Sequence, residues 1–178
     1  RLQKSPTNTV AFDSIKVADQ QGHGLGYGDI NGDGRGDLVV DKGWLECPAD
    51  PFRQPWIFHA EFEFVQASVP MLVTDVNLDG RNDLIVGQAH NYGLDWYEQK
   101  VDAKKNRTWV KHAIDPYNAQ YHTMVLSDID NDGKPELIHL GARGPFDTVG
   151  GARGAVFIFD GQTGTHLHLI KSANAGNE

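Results

Sequence analysis

Three segments of this chain superpose without gaps, and that repetition limits the fold more than any other feature. They are Asp29-Ile-Asn-Gly-Asp-Gly-Arg-Gly-Asp37, Asp75-Val-Asn-Leu-Asp-Gly-Arg-Asn-Asp83 and Asp128-Ile-Asp-Asn-Asp-Gly-Lys-Pro-Glu136, each followed by a short apolar run. Their first residues lie 46 and 53 positions apart. Two further elements repeat with them. Trp56-Ile-Phe-His59-Ala and Trp109-Val-Lys-His112-Ala each begin 19 residues before a loop, and Trp44-Leu-Glu, Trp96-Tyr-Glu and Phe157-Ile-Phe follow the loops at variable distance. The repeating object is therefore a whole structural unit with one insertion-tolerant connection.

Runs rich in Val, Ile, Leu and aromatics, bounded by Gly, Pro, Asn and Asp, predict strands over 25–30, 37–40, 57–64, 71–76, 83–86, 108–114, 124–129, 136–140 and 155–159. No apolar pattern at i, i+3, i+4, i+7 persists for 11 residues, so helices are expected to be nearly absent. Asp160-Gly-Gln-Thr-Gly164 reads as a tight hairpin, and 171–178 as a frayed tail. A unit of roughly 40 to 50 residues and about four strands is a blade of a β-propeller, and such rings close with about 4 to 8 blades. The 178 residues, at a spacing near 50, supply about three and a half. The expected fold is all-β: one partial propeller over 1–178, belonging to a larger ring or completed by a second subunit.

Composition excludes several classes. The chain holds 24 acidic and 16 basic residues, a net charge of −8, with no clustered Lys and Arg, which argues against nucleic acid. No apolar run approaches the roughly 18 residues of a membrane helix, and no signal peptide is recognisable. The chain opens at Arg1, which suggests a processed or excised segment. A lone Cys47 forms no bridge within the chain.

The pattern D-x-[DN]-x-[DN]-G-x-x-[DE] places oxygen side chains at positions 1, 3, 5 and 9 and leaves position 7 to offer its backbone carbonyl. A calcium ion collects 6 to 8 hard oxygens at about 2.3–2.6 Å in this way. The expected ligand sets are Asp29, Asn31, Asp33, Arg35 (carbonyl) and Asp37; Asp75, Asn77, Asp79, Arg81 (carbonyl) and Asp83; and Asp128, Asp130, Asp132, Lys134 (carbonyl) and Glu136. Gly34, Gly80 and Gly133 at position 6 permit the sharp turn. One such cluster is an ordinary turn former. Three in register, each with an acid at position 9, are not. Strands rather than helices flank the loops, and Val40, Val86 and His139 stand where an EF-hand needs Glu. Ten of the 24 acidic groups sit in these loops, and like charges that close call for a counter-ion. Three structural Ca²⁺ ions are expected, and with them a calcium-rich setting outside the cell, either extracellular or periplasmic.

These loops resemble those of FG-GAP/VCBS repeats, the calcium-loop blades of integrin α-chain propellers and of many secreted microbial proteins. The resemblance spans about Gly22 to Asp160; the literal Phe-Gly and Gly-Ala-Pro signatures are missing, with Gly26-Tyr27-Gly28 in the nearest place. His23-Gly-Leu-Gly before the first loop and His90-Asn-Tyr-Gly-Leu-Asp-Trp-Tyr-Glu-Gln99 after the second are similar, more narrowly, to the propellers of aldos-2-ulose dehydratases and their bacterial VCBS relatives. Arg35-Gly36-Asp37 spells an adhesion tripeptide, but its Asp is position 9 of a loop and is expected to face inward. Asn106-Arg-Thr108 is a glycosylation acceptor that matters only in a secreting eukaryote.

In such blades the loop joins the innermost strand to the second, so all three loops share one face. His23 and His122 both fall six residues before position 1, while Trp44, His90 and Arg143 fall 15 after it. These five are expected to rim the opposite face, with Lys42 and Tyr121 nearby. Three neutral imidazoles are a familiar zinc-binding set, making Zn²⁺ a second candidate cofactor, and a histidine near neutrality is also a general base. His90 is the first choice for base or zinc ligand, and Arg143 or Lys42 for stabilising an oxyanion. Trp44, Tyr92 and Trp96 are candidate platforms for sugar rings. His59 and His112 read instead as packing residues beside their tryptophans. Two functions remain open: a calcium-stabilised binding or scaffold module for carbohydrate or protein, or, as the dehydratase resemblance implies, a lyase acting on a keto-sugar or polysaccharide. The fold does not choose between them.

Overall fold

The computed structural model describes residues 2–4, 10–12, 14–20, 22–142, 155–159 and 166–171. Among these there is no helix. A first short pair, β1 (Leu2–Lys4) and β2 (Val10–Phe12), is antiparallel. A four-stranded meander follows, formed by β3 (Leu25–Gly28), β4 (Asp37–Val40), β5 (Gly43–Glu46) and β6 (Ile57–His59). The remaining strands are β7 (Leu72–Thr74), β8 (Asp83–Gly87), β9 (Tyr92–Val101), β10 (Arg107–Ser127), β11 (Glu136–Ala142), β12 (Ala155–Phe159) and β13 (His166–Lys171), and they form one seven-stranded antiparallel meander. The expected all-β architecture of partial propeller blades is what the chain adopts. The turn at 160–164 lies outside the described residues, although the strands on either side of it pair. Of the tail, Lys171 closes β13 against Ala155, and 172–178 lie outside the described residues.

The strand expected over 57–64 ends at His59, and a second difference is larger. Strands anticipated separately at 108–114 and 124–129 are a single strand, β10, of 21 residues. Its first half pairs with β9 as the outer strand of the second blade, and its second half pairs with β11 as the inner strand of the third. The chain turns between them through register shifts around Asp115 and Ala119, with Gln120 at φ 64°. The buried Asp115 carboxylate organises the bend by accepting the N–H of Tyr117 (2.8 Å), the Asn118 side-chain amide and the Tyr121 hydroxyl (3.1 Å). Pro116, which has no N–H to offer a ladder, is tolerated at such an irregularity.

Alternation along the second strands builds the core. Leu84 and Val86 face the first blade, in a cluster with Ile30, Val39, Trp44 and Met71. Ile85, between them, faces the third blade with Leu94, Tyr121, Met124 and Leu137. Blades one and two meet at their inner strands, where Met71 donates its N–H to the Leu25 carbonyl at 2.8 Å. A Cβ on Gly26 would lie 2.6 Å from the Met71 carbonyl oxygen, so this approach requires glycine. Trp44 stacks on His59 (ring centres 4.2 Å apart) and Trp96 on His112 (4.4 Å), while Glu46 and Glu98 hold the two imidazoles at 2.8 and 3.1 Å. His59 and His112 are packing residues, as their repeat position indicated.

Two stability tests follow from this geometry. Position 4 of every loop is left-handed, with φ of 77° at Gly32, 60° at Leu78 and 62° at Asn131. Leu78 is 76% exposed and so has little packing to offset the strain. Leu78→Gly is expected to stabilise the protein by about 0.5–1 kcal/mol, the left-handed penalty less the entropy of glycine, raising the urea midpoint. His139, fully buried and stacked on Tyr121, has its pKa pushed down to about 4 by burial. Unfolding releases an imidazole that titrates near 6.5, so below that pH the unfolded chain takes up a proton the folded chain resists. Stability should fall as pH drops from about 6.5 to about 4, by up to roughly 3 kcal/mol from this group. His139→Leu should flatten that part of the pH–stability curve at fixed calcium; an unchanged slope would assign the loss elsewhere.

Candidate functional site

The three loops adopt one geometry. The carboxylate at position 1 folds over the turn: Asp29 accepts the N–H groups of Asp33 (3.1 Å) and Gly34 (2.8 Å), Asp75 those of Asp79 (3.0 Å) and Gly80 (2.8 Å), and Asp128 those of Asp132 (3.1 Å) and Gly133 (3.0 Å). Position 3 accepts from the amide of position 5, at 3.0 to 3.1 Å in all three loops. Position 5 accepts from the amide of position 7, at 2.8 to 3.0 Å. The glycine at position 6 is left-handed each time, with φ between 84° and 87°. The loops thus share one backbone shape, and hard carboxylate oxygens of this kind are what a calcium ion takes. In the third loop, oxygens of Asp128, Asp130 and Glu136 lie within 4.8 Å of one another. Loops one and two differ from the third in that the guanidinium groups of Arg35 and Arg81 fold back onto Asp33 and Asp79.

Position 9 does structural work as well. Asp37 is fully buried, accepting the N–H of Ile30 (2.9 Å) and of Cys47 in the stretch after β5 (2.9 Å). Asp83 does the same with Val76 (3.2 Å) and Gln99 (2.8 Å), and Glu136 accepts from Ile129 at 2.8 Å. Burial pushes the pKa of Asp37 and Asp83 above the usual carboxylate range, against the pull of those amides. Because Asp37 is inaccessible, the Arg35-Gly36-Asp37 sequence presents no adhesion tripeptide.

At the opposite end of the inner strands, the imidazoles of His23, His90 and His122 come together although they arise from three different blades. Ring centres are 5.1 Å apart for His23 and His90, 5.1 Å for His90 and His122, and 5.7 Å for His23 and His122. His23 Nδ1 lies 3.3 Å from the Ala67 carbonyl oxygen. Desolvation, and then the neighbouring His90 and His23, hold the His122 pKa below the ordinary imidazole value. Asp41 was not anticipated from the sequence. Its buried carboxylate accepts the N–H groups of His23 and Gly24, each at 2.7 Å, and anchors the start of β3. Only its place just past β4, opposite the glycine-rich start of β3, hinted at this.

Other expected rim residues lie elsewhere. Trp44 is buried to 1% exposure against His59, since the pleat turns it into the blade interface, and Trp96 has one ring face covered by His112. Of the three aromatic platforms, Tyr92 remains half exposed. Tyr121 is buried with its hydroxyl on Asp115. Lys42 directs its ammonium to Glu63 at 3.5 Å. Arg143 lies outside the described residues.

The fold and its three loops define a class, the propeller blade with an acidic loop between its first two strands. Residues 75–139, spanning the second and third loops, match the family described as FG-GAP-like repeat. The chain is also 29% identical to a T-cell immunomodulatory protein homolog of Plasmodium yoelii yoelii, in an alignment covering 63% of this chain and 20% of that protein. The chain therefore spans about a fifth of that relative's length. Among the described residues, no helix is long and apolar enough to cross a membrane.

Asp41→Ala removes an acceptor from two backbone amides and is expected to cost about 2–4 kcal/mol. It should also shift the NMR resonances of the His90 and His122 rings, because His23 loses its anchor. Unchanged ring resonances would show that Asp41 does not set the cluster.

Proposed function

We propose that this chain is a calcium-stabilised segment of an FG-GAP-type β-propeller in a secreted protein, acting as a binding or scaffold module for carbohydrate or protein. Further blades or a second subunit would complete the ring. The supporting observation is the shared hydrogen-bonded geometry of three acidic loops, with carboxylate oxygens of the third lying within 4.8 Å of one another. Loops of this kind, with their ligands drawn from side chains and one carbonyl, leave little room for a substrate, so the ions are structural. Each ion that binds only the folded state stabilises it by RT ln(1 + [L]/Kd), and three sites together would contribute several kcal/mol.

Chelation with EGTA should lower the melting temperature markedly, and readdition of Ca²⁺ should restore it. Asp33→Ala, Asp79→Ala and Asp132→Ala should each remove one bound ion. A melting curve unchanged after confirmed metal removal would refute the structural role.

The convergence of His23, His90 and His122 favours a second reading, a lyase or dehydratase acting on a keto-sugar or polysaccharide. In it, His90 takes the proton α to a carbonyl, and the enolate so formed expels the β-oxygen substituent as the C–O bond breaks and a C=C bond forms. The departing oxygen takes the proton back from the imidazolium and leaves as water or alcohol, and the half-exposed Tyr92 stacks on a sugar ring. Lys42 would have to leave Glu63 to reach the developing oxyanion. The resemblance to the aldos-2-ulose dehydratases carries the substrate class. Loss of keto-sugar turnover in His90→Ala, with calcium binding retained, is the outcome this reading requires.

A further inference from the structure

Each blade has two faces, and the repeats show which positions build them. Counted from position 1 of a loop, residues four and two before it and nine and eleven after it turn toward the preceding blade. In the second blade Met71, Leu84 and Val86 at these positions are buried against the first, with Val73 packed beside them. In the third, Met124, Leu126 and Leu137 pack against the second. Residues three before and one and ten after turn the other way. Leu72, Val76 and Ile85 of the second blade pack against the third. This is the alternation of a pleated strand, and inside the chain a face of the first kind meets a face of the second kind at both junctions.

At the two ends of the series the same positions are still apolar, but they are uncovered. On the first blade, the face turned away from the second carries Leu25 and Tyr27, 46% and 69% exposed, with Leu38 and Val40 half-buried. Tyr27 opens onto an apolar groove that Ile15, Phe52 and Trp56 also line. On the third blade, the face turned away from the second carries Val125, Ile129 and Leu140, each about half exposed, beside the half-buried Ile138. Scattered apolar residues on a surface need no explanation. These do, because they hold the positions that two internal junctions bury, and contiguous apolar faces mark interaction sites.

One chain thus carries both halves of the contact it makes internally. We propose that the open face of the first blade packs on the open face of the third blade of a second copy, and the reverse, so that two copies close one ring. The proposal rests on the reading above that the chain is a propeller segment completed from outside itself, and it names the partner. A head-to-tail contact either closes or propagates as a filament. Two copies supply about six or seven blades, inside the range of about 4 to 8 in which such rings close, so assembly stops at the dimer.

The test is sedimentation equilibrium of the calcium-loaded chain, which should give a dimer at concentrations up to about 100 μM. Tyr27→Lys on one face and Val125→Glu on the other should each weaken dimerisation at least about 10-fold, because either change places an unpaired charge in both contacts of the ring. Circular dichroism should show both variants folded, since both side chains are exposed; Leu25→Lys and Leu140→Glu are the second variants for the two faces. Mixing Tyr27→Lys with Val125→Glu should restore a dimer, in which one contact is that of the parent and the other sets Lys against Glu. A parent that stays monomeric, a dimer that survives both variants of either face, or a mixture that does not associate overturns the proposal. A monomer whose melting still responds to EGTA removes the second copy and leaves the calcium-stabilised module standing, whereas a dimer indifferent to EGTA does the opposite.

Discussion

The carboxylate at position 9 is the constraint on which the rest of each blade depends. In Asp37 and Asp83 one buried charged group receives an amide from the start of its own loop and another from the third strand or the stretch just beyond it. Loop, second strand and third strand thereby become one object. Hydrogen bonds to a charged acceptor are the stronger kind, and losing one here would leave two buried amides without a partner. The same residue faces the acidic loop, so the group that would help hold an ion is also the one that locks the blade. That double duty explains why the acid recurs at position 9 while positions 2, 4 and 8 vary.

Outward from that anchor the blades repeat a second device. Trp44 with His59 and Trp96 with His112 form stacked pairs backed by Glu46 and Glu98. Glu98 also accepts from the Asn77 side chain at 2.8 Å and from Lys100, linking its stack to the second loop. The Lys100 hydrogen bond comes first among the causes that lower the Glu98 pKa. Between blades, alternate residues of one second strand serve two different interfaces, so neither can be repacked alone.

The acidic-loop pattern was legible because every residue in it is local, and the hydrogen bonds that shape it span nine positions of chain. The meeting of three imidazoles was legible only after the repeats were aligned, since His23 and His122 share an offset from position 1 that no shorter window reveals. Depth was not legible. Trp44 and His90 share an offset of 15, yet the pleat sends one into the core and leaves the other at the rim. Left-handed Leu78 carries no glycine to announce its conformation. The continuity of β10 was hidden because Asp115-Pro116 reads as a break, whereas buried hydrogen bonds to Asp115 carry the pairing across it.

That continuous strand has a mechanical consequence. Blades two and three share one unbroken backbone and one hydrogen-bonded sheet, while blade one forms a sheet of its own and reaches blade two through a longer connection. A pulling force applied along the chain would meet its weakest joint between the first and second blades. The second and third would then yield together, because extending either one shears the strand that belongs to both.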